Sequence, residues 1–590
     1  MVCERLSRNS SRQALFAAGH SQSIAVQRQG KRRLLPAVVG ASLALTVQSG
    51  WAFQFNTDSD WVVRWDNTVK YNLMVRVADQ DKDILSDPSF GRVSDDADLN
   101  FDQGSIVSNR LDLVSEFDAV WRDKLGVRLS AAGWYDHAYS GKSDHPGLNK
   151  YYPDGPANTW GALSVKPGRY TDTTEDYHYL GGEVLDAFAF AQFELGQVSG
   201  NVRAGRHTVF WGNSLAVGGA VHGIAGSMTA LDVGKALSVP GVDAQELFMP
   251  SSRLSTVLQL TNNMTLNAYW SLEFEENRLA QMGSYFSATE IVTDDAEFLV
   301  AVPGSSTGSP RFGLAKVGDE TPDANDEWGI NLQYYFDAWG LDASVTYLNY
   351  NDKLPHGIAG YQAFPPEELA PDALGLGEFK WIYKDDIDLF GISLNKEIAG
   401  FSMGLDLVRR ENAPLPSDLL ASAALTEEEF RAADSSNYTG PVGDTNHIIL
   451  NGTYFLAPSR LYQGGSFAFE VTASWLDKVT ENEEKLNPVL SADRVATSAQ
   501  LLFSPQWFQV LRSTDLTMPM SVSYTIDGNA PISQGGDKGL GNASIGLDFL
   551  YNQLWSFTFK YNVLFGSYDN GGAGLLKDRD NVSFTIKRTF

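Results

Sequence analysis

Cysteine occurs once in the 590 residues, at Cys3, which excludes a disulfide-stapled fold and any thiolate metal centre further along the chain. After the N-terminal region no stretch approaches ~18 consecutive apolar residues, so a bundle of membrane-crossing helices is excluded too. Histidine is sparse: His20, His137, His145, His178, His207, His222, His356 and His447 are all there are, and none forms an HExxH or other closely spaced ligand pair. No Gly-x-Ser-x-Gly elbow surrounds Ser214 near His207, and no glycine loop is built to cradle phosphate. Neither an enzyme nor a cofactor is expected. Basic residues are also few, 45 against 72 acidic, for a net charge of −27. Residues 1–52 hold seven basic residues and Glu4, leaving 38 basic and 71 acidic beyond them, a net of −33. Such a surface repels nucleic acid, and acidic loops of this kind attract divalent cations that bridge to anionic lipid.

What is present at the start is an export leader. Lys31, Arg32 and Arg33 precede an apolar run from Leu34 to Val47, and Gly50-Trp51-Ala52 offers a small-x-small cleavage site. The expectation is a signal peptide over 1–52 and one domain over 53–590.

Period-two alternation then runs to the last residue. Trp61, Val63, Trp65, Val69, Tyr71, Leu73, Val75 and Val77 share one face of the first strand, against Arg64, Asp66, Thr68, Lys70, Asn72 and Arg76. The pattern recurs in about eighteen segments, with fourteen or sixteen as lower counts. Short connections such as 122–126, 195–200 and 399–400 alternate with long ones such as 78–106, 140–182 and 212–251. An even count with short and long connections in alternation is the signature of an all-β transmembrane antiparallel β-barrel with long extracellular loops. The final strand alternates likewise, with Val582, Phe584, Ile586 and Phe590 on the lipid side as barrel-closure residues, interrupted by Arg588. It is expected to pair with the strand that begins near Trp61. Residues 226–249 and 416–433 carry helix-like stretches, expected either to fold inward as plug segments or to cap the barrel outside.

Alternation also assigns the lumen. Arg64, Asp66, Lys70, Arg76, Arg110, Asp112, Glu116, Asp118, Arg128 and Asp136 are the candidate lumen-facing charges, with ion pairing and conduction as their two roles. Arg203, Arg206, His207 and Trp211 form a dense polar-aromatic segment, the candidate pore patch. Asp96, Asp98, Asn100 and Asp102 have the spacing of a calcium loop, but Phe101 stands where glycine is required and Val107 where glutamate is required. No metal site is expected there beyond a loose cation contact.

Several segments together resemble one family: Asp98-Leu-Asn-Phe-Asp-Gln-Gly104 leading into Ser108-Asn-Arg-Leu-Asp-Leu-Val-Ser-Glu-Phe-Asp118, then Ala132-Gly-Trp-Tyr-Asp136. Gly205-Arg206 with Trp211-Gly212-Asn213 follows, then Leu272-Glu-Phe-Glu275, Gly283-Ser-Tyr-Phe-Ser287 and Asp578-Arg-Asp580. They resemble the uncharacterised Gram-negative outer-membrane family catalogued as domain of unknown function 1302; at Asn213 the family more often has Glu. The resemblance implies a large outer-membrane barrel associated with movement of hydrophobic molecules across the envelope, beside a periplasmic lipid-binding lipoprotein and an efflux-type pump. Outer-membrane lipid, lipopolysaccharide and the barrel-assembly machinery are the other partners this location implies. No substrate residues are established for the family, so none is carried over.

The sequence therefore points to a porin-like barrel for passive or facilitated passage of small hydrophobic or amphipathic compounds. Its rivals are a non-conducting docking barrel of a lipid-transport complex and, weakest, a membrane-embedded hydrolase using His207.

Overall fold

A strand whose side chains alternate between polar and apolar over sixteen positions needs a different medium on each side. The chain meets that need by closing its sheet on itself. The computed structural model describes residues 53–55, 60–86, 96–145, 168–288, 292–293, 295–296, 298–302, 311–355, 357–362, 374–418, 422, 424–488, 494–532, 535–567 and 572–590. The predicted leader and its cleavage site lie outside these residues.

The wall begins with β1 (Trp61–Arg76), β2 (Ile106–Trp121), β3 (Leu125–Asp136), β4 (Leu180–Leu195), β5 (Val198–His207) and β6 (Ser251–Gln259). It continues through β7 (Met264–Ser271), β8 (Trp328–Phe336), β9 (Leu341–Tyr350), β10 (Ile387–Ile398), β11 (Phe401–Pro414) and β12 (Val442–Phe455). It ends with β13 (Gly464–Glu481), β14 (Val495–Leu511), β15 (Thr514–Thr517 and Met520–Asp527), β16 (Gly541–Tyr551), β17 (Trp555–Phe565) and β18 (Asn581–Thr589). β15 is interrupted at Pro519, which has no N–H for the ladder. Each strand pairs antiparallel with the next, and β18 returns to β1, so the barrel has 18 strands and no free edge.

The seam is the pairing expected from the sequence: Tyr71 opposite Ile586, Leu73 opposite Phe584 and Val75 opposite Val582. Phe590 completes it by exchanging backbone hydrogen bonds with Asn67 at 2.8 and 3.1 Å. Arg588 does not break the outer face. Its guanidinium lies 4.8 Å from the Trp555 ring and 4.5 Å from the Phe590 ring, sandwiched between aromatics.

Eight of the connections are short, from two to eight residues, and they alternate with nine long ones. One of the two-residue turns, Ala399–Gly400, has φ of 52° and 84°; two positive values match the twist of the flanking strands, and glycine removes the strain at the second position. Leu111, Leu113, Trp270, Leu332, Ile392 and Phe559 are exposed on the outside, while Lys70, Asn72, Arg76 and Arg110 are buried on the inside. An apolar exterior around a charged interior is the reverse of a water-soluble protein and suits a barrel standing in lipid. From the long-loop end rises a separate four-stranded sheet: Phe298–Val302, Arg311–Lys316, Leu374–Ile382 and Gly357–Gln362. The helix Glu427–Ala432, opened by a capping box between Thr426 and Glu429, packs Phe430 on that sheet against Tyr361 and Ile382. This part of 416–433 therefore caps; residues 419–421 and 423 of it lie outside the described residues.

Candidate functional site

β5 stops after ten residues, and from Thr208 the chain runs into the lumen and stays there until Pro250. The reason is an apolar patch on the inner wall. Tyr269, Leu348, Tyr350, Ile387, Leu389, Val408 and Ile449 form it, and it is covered by Val209, Trp211, Ile224 and Met228 of the inserted segment. Residues 226–249, expected either to plug or to cap, thus belong to a plug.

The plug crosses to the far wall and is gripped there by carboxylates. Asp406 on β11 accepts the Asn213 backbone N–H at 2.8 Å and its side-chain amide at 2.9 Å. Glu470 on β13 accepts Leu215 N–H at 2.6 Å and Gly219 N–H at 3.1 Å. Charge-assisted bonds of this kind contribute about 1.5–3 kcal/mol each. A Cβ on Gly219 would lie 2.1 Å from the Glu470 carboxylate, which explains glycine there. The helix Val217–His222 then ends on a histidine that meets His447 of β12. His222 Nε2 faces the Gly535 carbonyl at 2.8 Å, so that nitrogen carries the proton and Nδ1 is the acceptor. Nδ1 lies 3.1 Å from His447 Nδ1, which must donate, leaving His447 Nε2 to accept from the Thr445 hydroxyl at 2.9 Å. Both rings are neutral in this arrangement, and a proton added to His222 Nδ1 would set two N–H groups against each other.

The return half is held by ion pairs. Arg278 bridges Glu183 at 2.9 Å and Asp232 at 3.0 Å, and Lys235 also pairs with Glu183. Asp243 meets Lys587 at 2.6 Å, and Glu246 meets Lys70. Phe248–Met249 pairs with Ala230–Leu231, closing the plug on itself before β6 begins.

The predicted lumen charges are brought together in register: Arg64 opposite Asp118, Asp66 opposite Glu116, Asp118 opposite Arg128 and Arg110 opposite Asp136. Most serve one another or a loop. Arg128 reaches Glu116, Asp118 at 3.2 Å and Asp186 at 2.7 Å. Arg110 binds Asp112 at 2.7 Å and stacks 5.0 Å from Trp134. Asp136 accepts from Ser108 Oγ and the Asn109 and Ala138 N–H groups at 2.7–2.9 Å. Arg76 joins Asp98 and Asp578, both at 2.8 Å. Arg64 is exposed, and Asp66 keeps one buried carboxylate oxygen without a hydrogen-bond partner among the described residues.

The calcium-like run is spent on protein contacts. Asp96 pairs with His145 at 2.9 Å, Asp98 with Arg76 and Arg579, Asn100 with the Gly283 carbonyl at 2.8 Å, and Asp102 with Gln80 at 2.9 Å. The pore patch divides. Arg203 and Trp211 line a cavity of about 470 Å³. Arg206 turns to Glu273 at 2.8 Å and Glu275 at 2.6 Å, and His207 is fully buried against Ser255. Gly205 between them has φ 123°, and a Cβ there would sit 2.4 Å from the Ala187 carbonyl oxygen. His207 Nδ1 faces a backbone carbonyl, that of Gly205 at 3.2 Å, where a hydrolytic triad would place a carboxylate.

The cavity lies between the plug and the short-turn mouth. Phe210, Trp211, Gly212 and Asn213 line it from the plug; Asn201, Asn267, Asn331, Gln333, Asp342, Ser344 and Asn395 line it from strand positions near the short turns. The polar majority of these side chains could not be told from structural pairs in the sequence, because which strands face the strap depends on where it crosses.

The model of the family described as protein of unknown function (DUF1302) matches residues 33–590. The chain belongs to that family. No curated protein matches it. Among solved structures, this DUF1302 barrel is similar to OccAB2 of Acinetobacter baumannii, at 10% identity over 90% of this chain and 98% of that one, with a TM-score of 0.42. It is similar to the outer membrane channel DcaP of the same organism, at 11% identity over 91% and 99%, TM-score 0.34. OpdK of Pseudomonas aeruginosa, solved with vanillate, matches at 8% identity over 90% and 98%, TM-score 0.37. At these scores the likeness says nothing of what this DUF1302 member carries.

Burial pushes the His222 imidazole down to about 4, so the seated plug excludes a proton that the released plug, in water, takes up below about 6.5. The His222 contribution to plug seating is therefore greatest above pH 6.5 and falls by about 3 kcal/mol as pH drops to about 4. Lowering pH through that window should raise single-channel conductance, and His222→Gln should flatten the step. Conductance independent of pH from 7.5 to 4.5 would contradict this.

Proposed function

We propose that this barrel stands in the outer membrane, short turns toward the periplasm, and passes small hydrophobic or amphipathic compounds through a lumen governed by the 208–250 plug. The observation that carries the reading is the cavity of about 470 Å³ inside the lumen, against the plug, which joins aromatic rings from the strap to an amide and hydroxyl wall. Volumes of this order accept a small molecule, and a mixed apolar and polar lining suits an amphipathic one. An apolar exterior with a closed ladder supports the membrane location, since an open sheet edge is not tolerated in hydrocarbon. A periplasmic lipoprotein and an efflux-type pump remain partners implied by the family resemblance alone.

Full-length protein in liposomes should admit small amphipathic solutes faster than protein-free vesicles, measured as osmotic swelling. Equal swelling rates with and without protein, at neutral and at acid pH, would reject passage and favour the docking barrel.

A further inference from the structure

Among the described residues that line the cavity Arg203 is the one basic side chain, and it forms no salt bridge; Asp186 is the carboxylate that acts on it from nearby. Arg203 Nε donates to Asn201 Oδ1 at 3.3 Å and its guanidinium lies 5.8 Å from the Phe188 ring; its terminal nitrogens meet no acceptor among the described residues. Asp186, a carboxylate on the adjoining strand β4, is already bonded to Arg128 at 2.7 Å. The cavity's own carboxylate, Asp342, accepts the Gln333 amide at 2.9 and 2.8 Å. It stands on β9, four strand spacings from β5, roughly 19 Å along the wall. The two charges are therefore too far apart to satisfy each other, and the terminal nitrogens of the positive one keep no acceptor among the described residues. A guanidinium presents two parallel N–H donors that match a carboxylate. Close by, Phe210 of the plug is exposed, its ring edge-on to Phe248 at 4.3 Å between centroids, and Trp211 sits beside it. Asn395 and Ser344 have side chains without hydrogen-bond partners among the described residues, so the wall between also has polar groups to offer.

We infer that the cavity is a binding site for small organic carboxylates with a flat apolar part, the carboxylate on the Arg203 fork and the apolar part against Phe210 and Trp211. The inference rests on the passage reading for its direction only. Because the site lies on the short-turn side of the plug, its ligand arrives from the periplasm, which makes the cavity a loading site for outward movement.

The test is calorimetric titration of the full-length protein in detergent with phenylacetate, its neutral analogue 2-phenylethanol and inorganic phosphate. Phenylacetate should bind at least tenfold more tightly than either of the others. In Arg203→Gln the ratio between acid and alcohol should collapse toward one, with Arg203→Lys intermediate and both variants keeping the wild-type heat-dependent gel migration. Phe210→Ala should weaken phenylacetate and leave phosphate alone. An acid-to-alcohol ratio unchanged in Arg203→Gln, or phosphate bound as tightly as phenylacetate, would overturn the inference. Binding in detergent needs no passage, so phenylacetate binding without vesicle swelling would reject the transport reading and keep the site, and swelling without binding would do the reverse.

Discussion

Excising Val209–Met249 and bridging Thr208 to Pro250 with a short glycine-serine loop should raise single-channel conductance roughly tenfold or more, since an eighteen-stranded barrel without a plug leaves an aqueous channel. The wall should survive the operation. β5 and β6 already pair from Ser199 opposite Gln259 to His207 opposite Ser251, so the plug is an insertion between two adjacent strands and the new loop spans neighbouring residues. The excision costs the cover over Leu348, Ile387, Leu389 and Ile449, and it leaves Lys70 and Lys587 without Glu246 and Asp243. A lower melting temperature is expected for both reasons, together with intact heat-dependent migration on gels. A folded excision variant with wild-type conductance would show that the caps at the long-loop end close the lumen, and the plug would lose its role as gate.

The second large effect is on stability. Arg76, Asp98 and Arg579 are fully buried and Asp578 nearly so, forming a neutral cluster of two guanidiniums and two carboxylates under the long loops. Tyr285 lies 5.8 Å from both guanidiniums. Although burial opposes it, Arg579 and Arg76 hold the Asp98 carboxyl below its usual range. Arg579→Met removes one of two positive charges and should destabilise the barrel by about 3–5 kcal/mol, the usual consequence of stranding a buried charge. Adding Asp98→Asn restores neutrality and should recover much of the loss, read as the midpoint of heat-dependent gel migration. If the single variant melts within a degree of wild type, the cluster is hydrated and the argument from burial fails. The Asp98 share of the pH dependence has one sign, since a depressed carboxyl stabilises above about 3.9 and loses its contribution as pH falls below that value, while burial raises Asp578 and makes its share oppose this.

The wall was readable in the sequence because barrel strands obey a rule of period two that needs no knowledge of partners. Trp61–Arg76 and Asn581–Thr589 alternate whatever they pair with, and the short turns stand out by length alone. Face assignment for Lys70, Arg76 and Arg110 followed from the same rule. Their partners did not. Glu246, Asp98 and Asp578 come from loops whose paths are set by contacts hundreds of residues apart, as Leu215 with Glu470 shows. The segment Arg203–Trp211 looks like one patch because its polar and aromatic residues are dense in sequence; in the fold Arg206 goes to Glu273 and Glu275 while Arg203 and Trp211 line the cavity. The His222–His447 contact left no trace in the sequence, since neither residue has a neighbouring ligand or motif.

Lys70 and Lys587 stand directly opposite each other across the seam, two like charges that would weaken the pairing of first and last strands. Asp243 lies within reach of both, 3.9 Å from one and 2.6 Å from the other, and Glu246 holds the first. The acids that neutralise this clash belong to a segment made midway along the chain. Zipping of the two end strands is thereby eased by what already occupies the interior: an empty cylinder meets repulsion at its last joint, and a filled one meets a waiting counter-charge. The insert thereby lowers the electrostatic cost of the last joint, so a filled barrel seals more readily than an empty one.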